Sequence, residues 1–205
     1  MKLLITSLFV LAITQFSFAQ KEFIGITKYK MAMVGGPDED SMEVVFDKTR
    51  LLVKLYAPSR ENPKIIEEML FLNDFATNKL YMINKASKNY KVDGLLNVAG
   101  YPFINTNKIM LVKGDVCLHY KADSTLIDES KMKAADCLVS KTYINKNIKN
   151  FWLLGFQPII IDDKIVMDFI VTENDGSKPR VYISDMIAMK NVDAYFDLSA
   201  YKEKE

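Results

Sequence analysis

Apolar residues recur at every second position through most of this chain, in short runs separated by turn-forming residues. That period belongs to strands with one face buried and one face wet. Residues 23–33 (FIGITKYKMAM) give the first predicted strand, followed by a turn at 35–40 (GGPDED). Residues 42–46 (MEVVF) and 51–56 (LLVKLY) make a hairpin around the turn 47–50, and a polar loop at 60–63 lies between Pro58 and Pro63. Strands at 69–73, 80–84 and 89–92 follow, with turns at 76–78 and 85–88 and a turn signal at Asp93-Gly94. Residues 108–112 and 116–122 flank the tight turn Lys113-Gly114-Asp115. The last third gives strands at 136–143 and 165–172, then the turn 174–177 and a strand through 180–189.

Helical patterning is scarce. Residues 145–156 (NKNIKNFWLLGF) predict a short helix ended by Gly155 and Pro158. Residues 65–71 fit either element, and their branched side chains favour a strand. There is no internal repeat, low-complexity tract or linker, so one antiparallel β-rich domain is expected.

The first 19 residues break this pattern. Lys2 precedes an uncharged apolar run at 3–18, and small residues, Ser17 and Ala19, stand at −3 and −1 of a cleavage site. These features predict an export signal cut after Ala19, with an uncleaved membrane anchor as the alternative, leaving residues 20–205 as a single domain in the periplasm or outside the cell. No second apolar span follows, so no stable membrane span is expected in the mature protein. The full chain carries 27 Lys and Arg against 26 Asp and Glu, and loss of Lys2 brings the mature charge near zero. Nucleic-acid binding therefore lacks its basic footprint.

Candidate chemistry is concentrated at 112–120, VKGDVCLHY, where the only histidine stands two residues from one of two cysteines. Export takes Cys117 and Cys137 to an oxidising compartment, so they are a candidate disulfide, with two separate buried thiols as the alternative. A metal set of Cys117, His119 and Cys137 lacks zinc spacing and a fourth ligand, and no metal site is expected. Strand alternation puts Val116, Leu118 and Tyr120 on one face and Cys117, His119 and Lys121 on the other, which makes His119 a surface or cross-strand residue. No nucleophile elbow, phosphate loop, dinucleotide turn or H-E-x-x-H motif is present. The acids at 38–40 and Asp162-Asp163 read as solvated turns. No catalytic residue and no cofactor are expected, and the protein is read as a non-enzyme. Nine of the 11 methionines recur through the expected strands and suit either core filling or an adaptable apolar cavity.

The order of motifs resembles a known group. The signal ends in FAQ and leads to EFIGITKYKMAM; then come LYMINKASKNYKV, VKGDVCLHYKA and the closing SKPRVYISDMIAMKNVDAYFDLSAYKE. Together these are similar to a family of secreted domain-of-unknown-function proteins of Gram-negative envelopes with a LolA-like half-barrel fold. Asp115 and Val116 depart from the family's small-residue and aromatic pattern, and Cys137 has no matching position. The resemblance implies a mainly β (α+β) fold: a strongly curved antiparallel sheet with one or a few short helices packed in its concavity. It suggests lipid handling, with a lipid or lipoprotein acyl chain in that concavity. Tyr29, Met31, Met33, Leu80, Met82, Leu118, Tyr120, Met167 and Phe169 are the expected lining. The alternative is an envelope interaction module with a protein partner at exposed strand edges.

Overall fold

Runs that alternate apolar with polar residues pair edge to edge, because only a ladder satisfies their backbone amides while one face stays dry. The computed structural model describes residues 20–34, 38–58, 65–94, 101–126, 132–145, 159–161 and 163–204. The strands are β1 (Lys21–Glu22), β2 (Gly25–Met33), β3 (Asp38–Phe46), β4 (Arg50–Pro58), β5 (Ile66–Asp74), β6 (Lys79–Asn84) and β7 (Asn89–Gly94). After them come β8 (Tyr101–Val112), β9 (Asp115–Ala122), β10 (Met132–Ile144), β11 (Ile159–Ile160), β12 (Lys164–Glu173), β13 (Pro179–Ala188) and β14 (Lys202–Glu203). They form one sheet in the order β11-β8-β9-β10-β12-β13-β2-β3-β4-β5-β6-β7-β14, with β1 off this path on β10. Neighbours are antiparallel except for the two-residue pairs β1–β10, β11–β8 and β14–β7.

The sheet is open and curved. In the strand order β10 and β3 are four spacings apart, roughly 19 Å in a flat sheet. Yet Asn145, just after β10, donates from Nδ2 to the carbonyl of Asp47, just after β3, at 2.7 Å. The same amide donates to the carbonyl of Phe23 at 3.2 Å. The sheet must therefore curl until these ends meet. Phe23 sits in the closure, edge-on to Phe46 and Tyr143. Its backbone N–H donates to Ile144, extending the β1–β10 pairing.

The inner face of the curl holds the larger core, including Phe23, Tyr29, Met42, Val44, Phe46, Leu51 and Val53. A second cluster lies on the outer face of β2 to β6, where Ile26, Val45, Leu52, Leu70, Leu72 and Ile83 are buried. The chain after β13 runs across them as a strap: Val192 and Phe196 are buried in the same cluster and Leu198 and Tyr201 pack on it. The strap ends as β14, beside β7.

This corrects one expectation about helices. Among the described residues the sole helical element is the single 3-10 turn Asp193–Phe196. It belongs to the strap on the outer face, so no described helix fills the concavity. Of the helix expected at 145–156, all but Asn145 lies outside the described residues. So do the export signal at 1–19, the turn at 35–37 and Asp162. The strand period locates most strands but shortens several. β8 begins seven residues before the predicted 108, and β3 extends back through the acidic residues 38–40, where a turn is expected from the sequence.

Candidate functional site

Register fixes which side chains share the inner face, because residues paired across an antiparallel ladder point the same way. Met82 pairs with Phe71, Phe71 with Val53, Val53 with Val44 and Val44 with Thr27. Thr27 alternates with Tyr29 and Met31, so all belong to one face. Leu80 joins them through Asn73, Leu51 and Phe46. From the other side, Met31 pairs with Val181, Val181 with Phe169, Phe169 with Cys137 and Cys137 with Tyr120. Leu118 follows by alternation. The described lining candidates from β2, β6, β9 and Phe169 of β12 therefore share one surface of the curled sheet.

Burial separates them. Tyr29 is fully buried and donates its hydroxyl to the Val166 carbonyl at 2.9 Å; burial raises its pKa. Phe169 and Met167 are also buried. Met167 is an extra residue in β12, since Asp168 pairs with Leu138 and Val166 with Val139, a β-bulge that turns its side chain into the core. These three are core residues with no surface left for a ligand. Met31, Leu80, Met82, Leu118 and Tyr120 are half-buried. The Met33 side chain lies outside the described ones.

The inner face is accessible along β8, where Ile109 and Leu111 are exposed, and at the β5–β6 end. β6 pairs with β5 only from Ile83↔Leu70 onward, while β5 starts at Ile66. Residues 66–69 thus overhang the Lys85–Lys88 turn, which is closed by the Lys88 N–H on the Lys85 carbonyl. At this step opens a groove of about 590 Å³, lined by Glu67, Met69, Phe71, Met82, Asn84 and Lys85 among others. Lys85 pairs with Glu68 at the rim. Met69 and Phe71 are not among the lining residues expected from the sequence. The signal that points to them is the ladder itself: each sits across from Leu55 or Val53 on the inner face.

The cluster of cysteine and histidine lies elsewhere, on the outer face of β9 and β10. Cys117 pairs with Ser140 and His119 with Leu138, whereas Cys137 pairs with Tyr120. Cys117 and Cys137 thus point to opposite faces, offset by about 10 Å along the strands, and no bridge can form across that geometry. Both are buried free thiols, and the candidate disulfide is not made. Burial and the nearby Asp115 carboxylate push the Cys117 thiol up to about 12. Burial, with Asp168 and Asp136 adding to it, raises that of Cys137 as well. His119 is not a surface residue: it is 9% exposed, with Nδ1 2.8 Å from the Thr106 hydroxyl and Nε2 2.9 Å from Asp136 Oδ1. The Thr106 hydroxyl also donates to the His119 carbonyl at 3.1 Å. Thr106, His119 and Asp136 come from β8, β9 and β10, so the arrangement ties three strands together. Among the described residues no three ligating side chains converge as a metal site would require. No helix there is long and apolar enough to cross a membrane.

No family model and no curated protein matches this chain. Solved structures define the fold class. PNGF-II, in its C2 and P21 crystal forms, superposes with TM-scores of 0.56 and 0.55 at 12% and 13% identity. The match covers 88% and 87% of this chain but only 30% and 31% of PNGF-II, so the chain spans about a third of that protein. At this identity the likeness is one of fold: a curved antiparallel sheet that also occurs as part of a longer polypeptide. The neighbours include a LolA superfamily protein from Nitrosomonas europaea, at TM-score 0.37 and 11% identity over 87% of this chain and 91% of that one. They also include a DUF1329 family protein from Desulfovibrio piger, at TM-score 0.27 and 13% identity over 94% and 96%.

Proposed function

We propose that this is an exported, non-catalytic protein that holds a hydrophobic ligand, a lipid or the acyl chain of a lipoprotein, against the inner face of its curled sheet. The observation that carries the reading is the groove at the β5–β6 step, where Met69, Phe71 and Met82 stand half-exposed at the margin of the inner-face core. Methionine is unbranched and polarisable, so such a wall adapts to chains of different shape. Each Å² of apolar ligand surface removed from water is worth about 25 cal/mol before the costs of binding are counted. Of the expected lining residues Met82 lines this groove; Leu80 and Met31 share its face without lining it, and Leu118 and Tyr120 belong to the far wing of that face. The Thr106–His119–Asp136 array has a hydroxyl already engaged by a backbone carbonyl, which suits strand cross-linking rather than nucleophilic attack.

The experiment is a solvent extract and native mass spectrum of the protein purified from the cell envelope, followed by titration with an apolar fluorescent probe. A co-purified lipid and saturable probe binding are expected, with binding weakened at least about tenfold by Met82→Lys. Absence of both lipid and probe binding overturns the proposal.

The second reading, an envelope interaction module, draws on a different place: among the described residues, most of one edge of β8 has no strand partner.

A further inference from the structure

An open sheet has two ends, and here they differ in chemistry. At one end β14 covers part of β7 with exposed Lys202 and Glu203. At the other, among the described residues, only β11 pairs with the outer side of β8, and only at Tyr101 and Pro102. Among the described residues no strand pairs with the rest of that edge. Natural sheets usually guard such an edge with charge or a bulge. β8 has a bulge between Asn105 and Ile109, with Asn107 in the left-handed region at φ 60°. Beyond it the guard stops. Ile109 is 60% exposed, Met110 47% and Leu111 73%, and no acidic residue occurs in β8.

The sequence of this edge is complementary to itself. Ile109 pairs with Leu118 and Leu111 with Val116 on β9, so both lie on the inner face, while Met110 opposite Cys117 lies on the outer face. A second copy added antiparallel about a two-fold axis through Met110 would set Ile109 against the partner's Leu111. It would set Met110 against itself and Lys108 against Val112. Inner faces meet inner faces, apolar residues meet apolar residues, and neither Lys108 nor Lys113 meets another lysine. A different register, with the axis between Met110 and Leu111, sets Lys108 against Lys113 and is opposed by like charge. The near-zero net charge of the mature chain adds no long-range repulsion between copies.

We infer that two copies of this chain associate through β8, extending the sheet antiparallel across a two-fold axis at Met110. The contact is isologous, so it closes at a dimer and does not propagate. The paired edge is short, so the side chains of Ile109 and Leu111 on the inner face supply most of the association. This inference is independent of the ligand groove, which lies at the opposite end of the sheet.

Sedimentation of the mature protein over a wide range of concentrations tests it. A reversible monomer–dimer equilibrium is expected. Leu111→Lys introduces a charge twice per dimer at a position exposed in the monomer, and weakens association at least about tenfold without changing the circular dichroism. Ile65→Lys, at the far end of the sheet, leaves the equilibrium unchanged. Register is tested by oxidation: Met110→Cys links two copies covalently because directly opposed Cα atoms stand about 5 Å apart. Ile109→Cys does not, because its own copy is displaced by two residues. A protein monomeric at every concentration, a dimer indifferent to Leu111→Lys, or covalent linkage of the Ile109→Cys variant in preference to the Met110→Cys variant overturns the inference.

Discussion

His119 shows how a single polar residue is used inside a sheet. Its Nε2 bonds Asp136, and its Nδ1 bonds the Thr106 hydroxyl, which also reaches the His119 carbonyl. The array thus holds β8, β9 and β10 in register. His119→Ala removes both side-chain bonds, and a loss of about 1–3 kcal/mol in urea denaturation is expected. The cysteines give a second test. Each thiol is buried and its pKa raised, so it stays protonated and unreactive. Native protein is expected to resist alkylation at about pH 8, near the pKa of a free thiol, both cysteines reacting only after unfolding; prompt labelling of either in the native state would contradict the placement. Gly25 is a third residue, and one that no sequence pattern singles out. Its φ is 152°, and a Cβ there would stand 2.1 Å from the Ile187 carbonyl oxygen of β13. Gly25→Ala must push β2 and β13 apart where they pair at Gly25↔Ala188, and a cost of about 3 kcal/mol or more is expected from the midpoint of thermal or urea unfolding.

At the scale of elements, the strap of residues 189–204 explains a feature of β5 that periodicity leaves ambiguous. Leu70 and Leu72 are as apolar as Met69 and Phe71, so the run reads as unbroken rather than alternating. The reason is that both faces are covered or half-covered: the inner by the curl, the outer by Val192 and Phe196 of the strap. Arg50 anchors the strap, bonding Asp47 and Asp193 and lying 4.4 Å from the centre of the Phe196 ring. Hydrogen bonds from Arg50 and Asn191 hold the Asp193 carboxyl below the usual carboxylate range. A lowered folded pKa stabilises the strap above the unfolded value and loses that contribution as pH falls through the folded one. The protection of the Lys202 and Lys204 amides, whose N–H groups bond to Lys88 and Tyr90, relative to their unfolded exchange rate is therefore expected to fall below about pH 4. In Asp193→Ala their exchange should be fast at neutral pH, with β12 and β13 unaffected; equal acceleration throughout the sheet would show that the strap does not open by itself.

For the whole molecule, closure depends on a few groups that join distant strands. Asn145 is 1% exposed and its amide satisfies carbonyls on both sides of the seam. Asn145→Ala leaves buried acceptors without a donor, and about 2–3 kcal/mol of destabilisation is expected, with faster exchange at Phe23, whose N–H bonds across the same seam. Much of this protein is legible from its sequence. Alternation of apolar and polar residues determines an antiparallel β fold, locates most strands, and puts Leu118 and Tyr120 on the face opposite Cys117 and His119, because side-chain direction in a strand has a strict period of two. What alternation cannot say is which distant strand covers a face. The burial of Tyr29, Met167 and Phe169 in the core rather than in a binding wall, the separation of the two cysteines, the groove beside Met69 and Phe71, and the exposure of Ile109 and Leu111 on β8 are all decided by register and curl. Those depend on pairings between residues far apart in the chain, and local pattern carries no record of them.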